Sequence, residues 1–126
     1  LTFGSISSTV IEDIGAPDQM DQIGQLEQHV LLAILRLQPV AYGISIQQEL
    51  LARTEREYSI GAIYAVLDKL ERKGFVSPKQ GEATAQRGGR AKLYFNLTAP
   101  GQAALRASLN AIKALISDTP LAPVLA

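Results

Sequence analysis

The sequence has no cysteine and no tryptophan, one histidine and one methionine in 126 residues. Without cysteine there is no disulfide, no thiolate nucleophile and no cysteine-held zinc. His29 is the lone imidazole, and no second histidine or carboxylate stands at its i+4 position, so a metal site has little to build on. Ser45, Ser59 and Asp68 find no histidine at a spacing that would assemble a Ser-His-Asp system. Glu12 with Asp13, and Glu55 with Glu57, have nothing nearby to desolvate one member and read as solvated charges. No catalytic site, metal or cofactor is therefore expected. No apolar run approaches the roughly 18 residues of a membrane helix, and the first residues lack a positive patch ahead of an apolar stretch. A soluble, cytoplasmic protein with no membrane contact is the expectation.

What is present is a chain 47% hydrophobic and 19% charged, the composition of one small globular domain with elaborated ends. Net charge is zero, which argues against a polyanionic partner, but the charges are unevenly placed. From Arg53 to Lys92 there are nine basic and five acidic residues, a local excess of +4, and the remainder of the chain carries −4. A phosphate backbone responds to the local field, so that segment is a candidate electrostatic footprint.

Residues 1–19 are mixed and without sustained period; they read as a mobile arm or an extension, with Met20 a candidate native start. Ile23, Leu26, Val30, Ile34 and Leu37 recur at helical spacing from Asp21 to Gln38, Leu31 and Leu35 widen the apolar arc, and Pro39 stops the helix. A second helix is predicted over about 44–54 after a Tyr42-Gly43 turn, with Ile46 and Leu50 inward. A third, over 59–73, opens on Ser59 as N-cap and stops at Gly74, with Ile60, Ile63, Leu67 and Leu70 as its core face. Phe75-Val76 and Leu93 to Leu97 read as short strands joined by a long polar tip, residues 77–92. Thr98 caps the last helix, with Pro100 in its first turn. Leu105, Leu109, Ile112 and Ile116 form that helix's stripe, and Ala104, Ala107, Ala111 and Ala114 keep its other faces small. Residues 118–126 read as a frayed tail.

A mainly α chain with a small β-hairpin, in this order, is the arrangement of a winged helix-turn-helix, in which the later helix enters the major groove. The third helix suits that role: Gly61 and Ala65 are small, Ser59 and Tyr64 can donate to phosphates, and Lys69 and Arg72 add charge. Tyr42 lies at the turn before the second helix. Arg87, Arg90 and Lys92 surround Gly88-Gly89 in the expected wing, where a pliant backbone suits a minor groove or a phosphate ridge.

The stretches "LEQHVLLAIL", "AYGISIQQEL", "SIGAIYAVLDKLERKGFV" and "RAKLYFNLTAPG", in that order, resemble the PadR family of bacterial transcriptional regulators over roughly residues 22 to 117. The resemblance implies a winged-helix DNA-binding domain over residues 20–97 and a C-terminal dimerisation helix over 98–117, as in the family's short subgroup. It implies a homodimer on double-stranded DNA with a pseudo-palindromic operator, acting as a repressor. The DNA-binding set is then Tyr42, Ser59, Gly61, Tyr64, Ala65, Lys69, Arg72, Arg87, Arg90 and Lys92, with Ala65 where the family commonly has proline. The dimer set is Leu26, Val30, Leu31 and Leu35, from a first-helix arc too wide for one small core, with Leu105, Leu109, Ile112 and Ile116 of the last helix, whose alanine-rich faces permit close approach. Some relatives hold an effector between subunits; the aliphatic lining here would admit a small apolar or aromatic molecule, and a constitutive repressor is the alternative. A winged-helix module that binds protein instead of DNA is the rival reading, favoured by the zero net charge.

Overall fold

The computed structural model describes residues 22–83 and 91–125. The expectations for residues 1–19 and for Met20 lie outside that range. Helix α1, Gln25–Leu37, begins at Gly24, whose N–H donates to the Glu27 carboxylate at 2.7 Å, and ends where Gln38 bonds back to the Ile34 carbonyl ahead of Pro39. Helix α2, Gly43–Thr54, starts one residue earlier than its apolar pattern suggests. The expected Tyr42-Gly43 turn is the helix start itself: Tyr42 is the N-cap, and its N–H donates to Ser45 Oγ at 2.9 Å.

Helix α3, Ile60–Arg72, is capped as the sequence suggests, Ser59 Oγ accepting from the Ala62 N–H at 3.1 Å. It stops at Lys73 because Gly74 turns left-handed, φ 81°, and Phe75 then donates to the Leu70 carbonyl at 2.9 Å. Glycine adopts that conformation without the Cβ penalty other residues carry.

Strands β1, Val76–Ala83, and β2, Ala91–Leu97, form an antiparallel hairpin in the register Val76 to Leu97 and Lys79 to Tyr94, with an irregularity between Gln80 and Ala83. The first strand is much longer than the sequence suggests, because Pro78 and Gly81 look like loop residues. Pro78 is tolerated because its partner Phe95 turns its N–H the other way, to the Ala41 carbonyl at 2.8 Å, so this pair requires no donor from proline. That bond, and one from the Leu97 N–H to Gln38 Oε1 at 3.1 Å, fasten the hairpin to the α1–α2 connection.

Helix α4, Ala99–Ile116, follows Thr98, whose Oγ1 accepts from the Gly101 N–H at 3.0 Å. Beyond it the expected frayed tail carries a 3-10 turn, Ala122–Leu125, laid against the helix end. Its backbone bonds, such as Thr119 N–H to Ile116 O, are local, which is how a segment without apolar period still acquires structure.

Helix α1 is the hub, lying against α2, α3, β2 and α4. Its Val30, Leu31 and Ile34 are fully buried with Ile46 of α2, Ile63, Leu67 and Leu70 of α3, and Phe95 of β2. Each such side chain contributes on the order of 1.5–3 kcal/mol by leaving water. Helix α4 is the contrast: Gly101 and Leu105 are its buried residues, and Ile112 and Leu115 remain 39% and 80% exposed.

Candidate nucleic-acid interface

The first turns of α3 stand clear of the core. Ser59, Gly61, Tyr64, Ala65, Lys69 and Arg72 are exposed, while Ile63, Leu67 and Leu70 on the opposite face fix the helix to α1 and α2. The Ala62 N–H is taken by Ser59 Oγ and the Ile63 N–H by the Ser59 carbonyl, so of the first turn's N–H groups those of Ile60 and Gly61 remain for a phosphate oxygen.

The angle of approach between α2 and α3 depends on a glycine. A Cβ added at Gly43 would sit 2.6 Å from both Cζ and the hydroxyl oxygen of Tyr64, so the tyrosine ring lies directly on the first turn of α2. Any larger residue would push that ring away. From the other side, Gln47 Nε2 donates to the Tyr58 carbonyl at 2.7 Å and holds the turn ahead of α3.

Beside this pair an aromatic and basic cluster joins the start of α2 to the second strand of the hairpin. Tyr42 and Tyr94 meet edge to face with centroids 5.7 Å apart, and Lys92 Nζ stands 4.3 Å from the Tyr42 ring centroid. Cation and ring attract, so Lys92 is steered towards the start of α2 without losing its charge. Tyr94 needs Gly81 opposite, since a Cβ there would run into its ring. The strand pairing also sets Lys79 across from Tyr94 on the same hairpin.

Of the ten expected DNA contacts, the structure gathers Tyr42, Ser59, Gly61, Tyr64, Ala65, Lys69, Arg72 and Lys92 about α3, the start of α2 and the second strand of the hairpin; Arg87 and Arg90 lie outside the described residues. Arg72 is shared with Asp68, 3.3 Å away, in an i,i+4 pair whose members are both about 70% exposed, weak enough for a phosphate to displace. The charge excess needs a correction. Lys73, counted in the footprint, has a side chain 7% exposed and turned inward to Glu27 at 2.9 Å, and Arg53 donates to Glu49 at 2.9 Å. Hydrogen bonds from Arg36 and Arg53 hold the Glu49 carboxyl below its ordinary range.

The dimer set also divides. Val30 and Leu31 are fully buried and Leu105 is 3% exposed within the single chain, so these three have no surface to offer a second subunit. They belong to the core cluster packed around α1. Leu35 at 42% and Ile112 at 39% are exposed, and Leu26, Leu109 and Ile116 are half-buried.

Three positions escaped the sequence reading. Gly43 gave only a turn signal, although a glycine at a helix start is also a mark of close approach. Gly81 is legible only once its cross-strand neighbour is known. Glu27 falls on the same helical face as Ile23, Val30 and Ile34, which was a usable sign that its carboxylate is buried. Among the described residues there is no group of histidine and carboxylate side chains able to hold a metal, and no helix long and apolar enough to cross a membrane.

Residues 31–107 match the transcriptional regulator PadR-like family. The fold is similar to that of a PadR-like transcription factor from Bacteroides fragilis, with 25% identity and a TM-score of 0.59 over 78% of this chain and 88% of that one. It is similar also to a PadR family transcription regulator from Clostridium difficile R20291, with 25% identity and a TM-score of 0.52 over 71% and 93%. A transcriptional regulator from Clostridium thermocellum shares the fold at 14% identity, TM-score 0.60, over 72% and 85%. No curated protein matches the chain.

Proposed function

Because the chain belongs to the PadR-like family of transcriptional regulators, a winged-helix family acting through DNA, we propose that it is a sequence-specific regulator that binds its operator as a homodimer and represses by occupying the promoter. The observation that carries this reading is the exposed outer face of α3, with Tyr64 seated on Gly43 and Lys92 held over the Tyr42 ring at the start of α2. Helix α3 enters the major groove, where Lys69 and Arg72 reach phosphates or base edges. Lys92, with Arg87 and Arg90, supplies the charge of the wing.

The half-buried and exposed apolar side chains of α1 and α4 support the dimer. Leu35, Leu109, Ile112, Leu115 and Ile116 form an apolar strip that a second α4 would cover. A groove of about 650 Å³ is lined by Ile23 and Phe75 and, from α4, by Ala103, Ala104 and Ala107, whose small side chains permit close helix approach. Two-fold symmetry then calls for half-sites about one helical turn, roughly 34–36 Å, apart. A small apolar or aromatic effector between the subunits would relieve repression by altering that separation.

The test is selection of duplexes from a randomised pool, followed by fluorescence anisotropy of the winning site against a scrambled one at several salt concentrations. A preference for the selected site, with affinity falling as salt rises, supports the reading. A folded protein that enriches no site would overturn it in favour of a protein-binding module.

A further inference from the structure

Where α3 ends, three elements converge. Lys73, its C-cap, donates from Nζ to Glu27 Oε2 at 2.9 Å, to Glu27 Oε1 at 3.2 Å and to the Gln22 carbonyl at 2.7 Å, which uses all three of its protons. Glu27 Oε1 in turn accepts from the Gly24 N–H. Both side chains are 7% exposed. One residue on, the Gly74 carbonyl accepts from Thr98 Oγ1 at 2.6 Å, and the Phe75 carbonyl accepts from the Thr98 N–H at 3.1 Å. Gly101 packs so closely on the Phe75 backbone that a Cβ would collide with it. The end of α3 is thus held between the starts of α1 and α4.

A buried ion pair is a costly way to obtain stability, since well-packed apolar side chains of similar size serve as well or better. What it adds is fixed distance and direction. We infer that Glu27 and Lys73 are positioning residues for operator recognition: they set the tilt of α3 against α1 and α4, and so the half-site spacing that the dimer accepts. The inference rests on the dimeric DNA-binding reading above.

The magnitudes suit the role. At 13 residues α3 is about 20 Å long. A tilt of about 10° at Lys73 would move its first turn by about 3 Å, close to the roughly 3.4 Å rise of one base pair. Lys73 faces inward, so it acts on DNA through α3 and not by touching phosphate.

The experiment compares the wild-type chain with the double variant Glu27→Leu/Lys73→Met, which removes both charges together and leaves neither one stranded. Each is confirmed as a folded dimer by circular dichroism and sedimentation. Each is then titrated against the selected duplex and versions with one base pair added or removed between half-sites. The wild type should favour the matched spacing by about tenfold or more, and the variant by less than about threefold, with an unchanged salt slope. Should the double variant not fold, Glu27→Gln, which keeps an acceptor for Gly24, takes its place and should loosen the preference in the same direction. Undiminished discrimination in a folded variant overturns the inference alone, and so does a reduced salt slope, which would make Lys73 a phosphate contact. A wild type that binds none of the duplexes overturns this inference and the DNA-binding reading together.

Discussion

At its N-terminal end α3 exposes Gly61, Tyr64 and Ala65, with the Tyr64 ring laid on Gly43 of α2; at its C-terminal end the Lys73 side chain is 7% exposed with every proton engaged. The same helix therefore carries exposed side chains along its outer face, from Tyr64 to Arg72, and one inward, fully bonded side chain at Lys73. A surface that meets a partner must keep its hydrogen-bonding groups available, while the frame that aims it must leave none unsatisfied. Substitutions should separate accordingly: those in the fixed end and the cap are read in stability, those on the outer face in DNA affinity.

The largest effect is expected at the fixed end. Lys73→Met leaves the Glu27 carboxylate buried without its cation and should cost about 3–5 kcal/mol in urea denaturation. A loss below about 1 kcal/mol would mean that water reaches the pair, and the contrast between the ends would disappear. Next is Gly101→Ala, whose Cβ meets the Phe75 backbone; a destabilisation of about 1–3 kcal/mol is expected from the same measurement. Ser59→Ala removes the cap at the open end and should cost about 1 kcal/mol.

Lys69→Ala should be the smallest in stability, within about 0.5 kcal/mol of wild type. It should nevertheless lower the slope of log affinity against log salt by about one if Lys69 contacts a phosphate. An unchanged slope would remove Lys69 from the interface and shift weight to the hairpin.

The pair also predicts a pH response. Burial pushes the Glu27 carboxyl up, but the Gly24 hydrogen bond and Lys73 more than offset this and leave it below its ordinary value of 4.5. A lowered carboxylate contributes stability that is fully present above the unfolded value and is lost as pH falls through the folded one. Stability should therefore decline below about pH 4.5, and Glu27→Gln should flatten that decline. An identical acid limb in the variant would assign the decline to other carboxylates.

Periodicity and caps carried most of the fold. The stripes of Val30, Ile34, Ile63 and Leu67, the caps Ser59 and Thr98, and the stop at Gly74 are local signals, because helix ends and amphipathic faces are set by neighbours three or four residues away. The exposed face of α3 followed from the same stripe. The length of β1 did not, since Pro78 and Gly81 are loop residues by propensity and become strand residues only because Phe95 lies opposite the first and the Tyr94 ring packs on the second.

The sequence by itself determined the order of the elements, the outward face of α3 and the family resemblance, all of which rest on spacing along the chain. Tertiary structure alone decided that Val30, Leu31 and Leu105 are spent on the core, that Gly43 seats Tyr64, and that Lys73 faces Glu27. These depend on residues distant in sequence meeting across helices, and a one-dimensional pattern can mark a side chain as apolar or charged without recording what will stand against it.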